Sequence, residues 1–296
     1  MDSSESRLRV GVVGTGRVGA ALGAALSRAG HHVVAASGVS AESRRRAEKL
    51  LPDVPLLPPQ DVLAASELAL LTVPDDALPA LVEGLVATGS IKPGTILVHT
   101  SGRYGCAVLD PATRVGALPL ALHPAMTFTG TEVDVARLAG CSFGVTAPEP
   151  LRPIAEALVV EMDGEPEWIA EEVRPLYHAA LAYGSNYLVT LVAQASELLR
   201  EAGVEHPGRM LGPLLGAALD NALRSGDAAL TGPVARGDAG TVAAHLRVLK
   251  QVDPQAAAGY RALGRLTADR ALASGLLSAE KAEPLLEALQ EEGREA

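Results

Sequence analysis

Cysteine is scarce: the 296-residue chain has only Cys106 and Cys141. Two cysteines without CxxC spacing cannot build a metal cage or a disulfide framework, so no metal site is expected and the chain fits a reducing cytosol. Basic residues are also in deficit, 25 against 35 acidic, for a net charge of −10. That balance excludes a nucleic-acid surface, which needs clustered Lys and Arg. No apolar run reaches about 18 residues, and no charged-then-apolar leader is present, so neither a membrane span nor a signal peptide is expected. A soluble, cytoplasmic protein is the expectation. Internal repeats are missing too, which removes solenoids from consideration. The polar segment 1–6 reads as a loose tail.

What is present begins at Leu8-Arg-Val-Gly-Val-Val-Gly-Thr-Gly-Arg-Val-Gly19, a short apolar strand running into Gly14-x-Gly16-x-x-Gly19 and then into the helical Ala20-Ala-Leu-Gly-Ala-Ala-Leu26. In such a motif the first glycine makes a tight turn, the second admits a pyrophosphate to the backbone, and the third lets helix and strand pack closely. The free N–H groups and positive dipole end of the helix then face phosphate. Gly14, Thr15, Gly16, Arg17, Val18 and Gly19 are therefore expected to cradle a dinucleotide.

A second strand, His32 to Ala36, ends at Ser37 with no acid before Glu42. An NAD site usually places a carboxylate there for the ribose hydroxyls. The segment Ser37-Gly-Val-Ser-Ala-Glu-Ser-Arg-Arg-Arg46 offers hydroxyls and three arginines instead, which suits a 2′-phosphate and favours NADP(H). Ser37, Ser40, Arg44 and Arg45 are the candidates, with at least one arginine of the run expected on the solvated face of the helix Ala41–Leu50.

Short Val/Leu/Ile-rich strands alternate with helical stretches as far as residue 170, the pattern of a mostly parallel, doubly wound sheet. Strands are expected at Arg9–Val13, His32–Ala36, Leu68–Thr72, Thr95–His99, Leu118–Leu122, Ser142–Thr146 and Pro166–Ile169. From residue 171 the strand signal vanishes and Ala/Leu-rich helical periodicity takes over, up to the charged end 291–296. The expected domains are thus 1–170 and 171–296, with one long helix running to Glu201 and closed by Gly203.

Ligands of open α/β sheets sit beyond the carboxyl ends of the strands. Three loops qualify: Val73-Pro-Asp-Asp76, His99-Thr-Ser-Gly102 and His123-Pro-Ala-Met-Thr-Phe128. Val73 and Pro74 are expected to line the nicotinamide side of a cofactor, and Ser101 to touch both cofactor and substrate. His99 and His123 are open between ligand contact and structural hydrogen bonding. In the long helix, Tyr177-His-Ala-Ala-Leu-Ala-Tyr-Gly-Ser-Asn186 interrupts an apolar run. At about 100° per residue, Ser185 lies along the helix from His178 and Asn186 on its shoulder. Farther on, Leu230-Thr-Gly-Pro-Val-Ala-Arg-Gly-Asp238 reads as a helix break, with Asp238 as an N-cap and Arg236 as a cation for a carboxylate, for cofactor phosphate, or for Asp238 itself.

Together these segments resemble two-domain reductases that join an N-terminal Rossmann domain to an all-helical C-terminal domain. That group includes β-hydroxyacid dehydrogenases, ketopantoate reductases, pyrroline-5-carboxylate reductases and prephenate dehydrogenases. Over nearly the whole chain the sequence is similar to the family described as Rossmann-like and DUF2520 domain-containing, and Thr231 to Asp238 is the most family-specific match. The resemblance implies an α/β Rossmann domain followed by an all-α domain that forms a homodimer. It also implies an NADP-linked oxidoreductase acting on a small carbonyl acid between the domains, with an imine as the alternative substrate and a cofactor sensor as the alternative class. The hydroxyacid and ketopantoate enzymes carry a lysine on the first long helix with an asparagine one turn later; this chain has no lysine between Lys92 and Lys250. His178 is the expected replacement as proton donor, with Asn186 two turns on, His123 and Ser101 at the substrate, and Arg236 on its carboxylate.

Overall fold

A computed structural model describes residues 7–290. The expectations placed on 1–6 and 291–296 lie outside the described residues. The chain divides into two compact units, one through Gly184 and the other from Ser185.

The first unit is built on a seven-stranded sheet: β1 Arg9–Val13, β2 His32–Ser37, β3 Leu68–Leu71, β4 Ile96–His99, β5 Leu118–Pro124, β6 Ser142–Thr146 and β7 Glu165–Trp168. Strand order is β2-β1-β3-β4-β5-β6-β7, with every neighbouring pair parallel except β5 and β6. Helices α1 Arg17–Arg28, α2 Ala41–Leu50, α3 Pro59–Ala65, α4 Leu78–Ala87, α5 Asp110–Thr113, α6 Glu132–Arg137 and α7 Arg152–Glu161 make the connections. Because both faces are covered, the inner strands read as continuous apolar runs rather than alternating ones. Val10, Val12, Leu68, Leu70, Val98, Leu120 and Phe143 pack in one core with Leu22 and Leu26 of α1. Val13, Ala69, Leu71 and Leu97 pack in a second core with Val62, Leu63, Leu78 and Val82.

The strands fall within a residue or two of expectation, with one informative difference. His123 and Pro124 belong to β5 rather than to the loop after it, because antiparallel pairing with Gly144 and Phe143 extends the strand.

The long helix α8 spans Arg174–Glu201, followed by Gly203 in the left-handed region at φ 85°. The first unit runs past the composition shift at 170/171 and takes in the start of α8, because Arg174 is buried there among sheet oxygens.

The second unit continues α8 and adds α9 Pro207–Ser225, α10 Gly232–Arg236, α11 Ala239–Val252, α12 Pro254–Ala273 and α13 Ala279–Ala288. Its core gathers Val234, Val242, Leu246, Ala268, Ala271, Leu277, Leu285 and Leu289. Asp238 caps α11 by accepting from Thr241 N at 3.0 Å, as its place in the sequence suggests. Among the described residues no helix is long and apolar enough to cross a membrane.

Candidate active site

The glycine loop has distinct roles at each glycine. Gly14 sits at φ 98°, and a Cβ there would meet Thr72 O at 2.8 Å. At Gly19 a Cβ would run into Gly14 O and Thr72 Oγ1, so only glycine lets α1 come this close. Around Gly16, by contrast, nothing lies within 4 Å of such a Cβ. Helix α1 starts there with no side-chain cap and no acid in its first turn, which leaves its N–H groups open to an anion. A dinucleotide pyrophosphate fits this cradle. Thr15 is fully buried, its Oγ1 donating to Ser43 O at 3.0 Å; Arg17 is exposed and Val18 half-buried against the core.

Past β2 the hydroxyls are already partly engaged. Ser37 O accepts from Gly14 N and Thr15 N, and the Ser37 side chain is buried. Ser40 Oγ caps α2 by accepting from Ser43 N at 3.0 Å, which leaves its hydrogen to donate. Arg44 Nε donates to Gly38 O at 3.2 Å, holding that side chain over the loop. Arg46 donates to Glu42 at 2.6 Å and to Thr15 O at 3.4 Å, whereas Arg45 is exposed on α2 and makes no such bond. Of the arginine run, Arg44 and Arg46 thus reach the loop. Gly130 lies against Arg46 and Arg17, in a turn held by fully buried Asp134, which accepts from Thr129 N, Gly130 N and Thr131 N.

At the ends of β4 and β5 a second cluster forms. His99 is wholly buried; its Nδ1 accepts from Ser101 N at 3.2 Å, so Nε2 donates to Gly105 O at 2.8 Å. Burial lowers its pKa to about 4, with Arg174 adding to the effect, and His99 acts as a neutral staple for the loop. Ser101 Oγ accepts from Arg103 N and Tyr104 N, both at 3.2 Å, and keeps only its hydroxyl hydrogen for a ligand. Val73 is half-buried and Pro74 exposed on the neighbouring loop.

Gly102 is where two imidazoles meet. A Cβ there would stand 2.6 Å from His178 Cδ2 and 3.0 Å from His123 Nε2. The His123 and His178 ring centroids are 5.9 Å apart. His123 Nδ1 is 2.8 Å from the Tyr177 hydroxyl. Burial lowers the His123 pKa to about 4, reinforced by His178 and Arg174.

Beneath them lies Arg174, fully buried and in hydrogen-bond contact with no carboxylate among the described residues. It donates to Thr146 Oγ1 at 2.8 Å, Ser101 O at 2.9 Å, Ala121 O at 3.0 Å and Gly144 O at 2.8 Å. One guanidinium therefore ties β5, β6 and the 99–102 loop together. Glu171 instead caps the turn after Gly105, accepting from Cys106 N at 2.7 Å and Ala107 N at 3.1 Å. Burial pushes the Cys106 thiol up to about 12, which removes it as a nucleophile.

The structure thus places Ser101, Gly102 and His123, at the ends of β4 and β5, beside His178 of α8. Asn186 and Arg236 are exposed residues of the helical unit. Arg174 and Tyr177 escape the sequence argument. No group of three or more potential metal ligands occurs among the described residues.

A doubly wound sheet with an open glycine loop, followed by a helical unit, defines the class of two-domain Rossmann proteins. The chain belongs to the family that joins a Rossmann-like domain, matched over residues 1–124, to a domain of unknown function, DUF2520, matched over 141–267. No curated protein matches the sequence significantly. Solved structures share the fold. A Bacteroides fragilis protein described as an NADP oxidoreductase is 24% identical, with a TM-score of 0.73 over 89% of this chain and 98% of that one. A Thermotoga maritima protein is 21% identical, with a TM-score of 0.65 over 90% and 99%. Pyrroline-5-carboxylate reductase from Streptococcus pyogenes is 18% identical, with a TM-score of 0.60 over 90% and 98%.

Proposed function

We propose that the protein is an NADP(H)-dependent oxidoreductase that reduces a small carbonyl acid, with the 2-oxo acid ketopantoate as the first substrate to try. The observation that carries this reading is the pairing, on one mostly parallel sheet, of an uncapped helix start at Gly16 with a histidine pair at Gly102. Gly14 to Gly19 hold the pyrophosphate. Arg44, the Ser40 hydroxyl and the cations beside them hold the 2′-phosphate, and Val73 and Pro74 line the nicotinamide side. The bound cofactor supplies a hydride to the carbonyl carbon. His178 supplies the proton that the carbonyl oxygen needs, and the Ser101 hydroxyl orients the substrate.

Fluorescence titration with NADPH and NADH, followed by NADPH oxidation against ketopantoate, other 2-oxo acids and pyrroline-5-carboxylate, tests the reading. Selective NADPH binding with carbonyl turnover is expected. Asn186→Ala and Arg236→Ala measure whether the helical unit contributes to KM. The lack of lysine between Lys92 and Lys250 favours a second reading, imine reduction, which relies less on a side-chain acid. Turnover of the imine that survives His178→Ala selects it. Tight NADPH binding with no turnover of either class points to a cofactor sensor.

A homodimer through the helical unit belongs to the same proposal. Leu188, Val189 and Leu191 of α8 and Met210, Leu214, Leu219 and Leu223 of α9 are exposed in one copy, a cost that a second copy removes. Light scattering is expected to give twice the chain mass, and Leu214→Asp with Leu219→Asp to give the single mass.

A further inference from the structure

The two ring nitrogens of His123 have different surroundings. Nδ1 lies 2.8 Å from the Tyr177 hydroxyl, with the ring planes at 90°. Nε2 makes no hydrogen bond among the described residues and faces the Gly102 backbone. The Tyr177 hydroxyl is itself set against Gly144, the residue paired with His123 across β5 and β6. The hydroxyl's hydrogen bond among the described residues is the one to Nδ1, which gives the phenol hydrogen an acceptor. Burial raises the Tyr177 pKa, which keeps that hydrogen in place, and lowers that of His123, which keeps the imidazole neutral. A neutral imidazole carries a single N–H, and its position is set by what the other nitrogen does.

We propose that Tyr177 is a positioning residue: its hydroxyl donates to His123 Nδ1, fixing the ring hydrogen on Nε2, so that His123 offers a neutral N–H to the substrate's carbonyl oxygen. The inference rests on the reductase reading for the identity of that oxygen, though not for the tautomer. The opposite arrangement, with Nδ1–H donating to the phenol, takes that acceptor away from the phenol hydrogen and turns a bare lone pair toward Gly102, where it repels a carbonyl oxygen. A neutral donor also divides the labour between the two histidines. His123 polarises the carbonyl as charge develops, and His178 gives up the proton. The charged and titratable groups around His123 are Tyr177, His178 and Arg174 of α8, His99 of β4 and Asp75 after β3. Arg174 and His178 both oppose protonation of His123, while Asp75 favours it.

The test reads the tautomer directly, on the full-length protein without cofactor. Long-range 1H–15N correlation spectra of 15N-labelled protein, with His123 assigned from the His123→Gln variant, are expected to show a pyridine-type Nδ1 and a pyrrole-type Nε2. That pattern should hold from neutral pH down to about pH 5. Tyr177→Phe should move both resonances toward a two-tautomer average. With a substrate in hand, it should lower kcat about tenfold while leaving the NADPH Kd and the circular dichroism unchanged. A pyrrole-type Nδ1 in the wild-type protein overturns the proposal without any variant. So does a Tyr177→Phe spectrum identical to wild type. Failure of the wild-type protein to reduce any carbonyl or imine sinks the reductase reading instead, and leaves the spectra to decide the role of Tyr177.

Discussion

Between β1 and α7 the leucines and valines of the inner strands are almost completely withdrawn from solvent, shared between two cores on opposite faces of the sheet. In α8 and α9 the same residue types lie open: Val189 is 69% exposed and Leu223 79%. Of α9 only Pro207 and Leu211 are buried, and neither α8 nor α9 contributes to the compact core of α10 to α13. Hydrophobic composition is similar in the two regions, but its use is not. The sheet unit closes its cores within a single copy of the chain, whereas α9 and the part of α8 beyond Gly184, in the other unit, keep an apolar surface that a single copy does not cover.

The contrast can be broken hardest at Arg174. Replacing it with Met should leave the carbonyls of Ser101, Ala121 and Gly144 without their donor and destabilise the sheet unit by at least about 3 kcal/mol, read by urea denaturation. Next come the glycines of the loop. Gly19→Ala forces a collision with Gly14 O and Thr72 and should cost about 2 kcal/mol or more. Gly16→Ala meets nothing in the protein, so thermal stability should stay within about 0.5 kcal/mol while NADPH affinity falls; equal loss of stability in both variants would refute the division of roles.

The third test uses pH. The folded pKa values of His99 and His123 are lowered to about 4, below the ordinary value of 6.5, so their contribution is fully present above about pH 6.5. As pH falls from there toward 4 the unfolded chain takes up protons that the folded chain refuses. Stability of the sheet unit should therefore drop by on the order of 1 kcal/mol per pH unit for each histidine. A urea midpoint that does not move between pH 7 and pH 5 would contradict this. The smallest effect belongs to the helical unit, where Asp238→Ala removes the cap of α11 and should cost about 1 kcal/mol.

Much of this was legible in the sequence for local reasons. Strands buried on both faces need unbroken apolar runs, and the spacing of Gly14, Gly16 and Gly19 between a strand and a helix is a local pattern, even though part of what excludes a Cβ at Gly14 and Gly19 is the distant Thr72. The 99–102 and 123–124 segments were found because chemistry gathers at strand ends. Arg174 and Tyr177 were not, since their partners lie far away in the chain. Arg174, placed in Glu171-Glu-Val-Arg-Pro175, looks like one more solvated charge until three segments of the sheet unit close over it. Tyr177 falls off the His178–Ser185–Asn186 stripe by one residue, and its value comes from Gly144 and His123, which helical periodicity cannot see.

Arg174 also bears on the order of events in folding. Its acceptors come from β5, β6 and the segment after β4, as many as 73 residues before it in the chain, so its burial is productive only once those strands are paired. The beginning of α8 is thus a late latch. Weakening it should quicken unfolding and leave the rate of refolding nearly untouched, a kinetic signature that separates this residue from those in the first-formed strands.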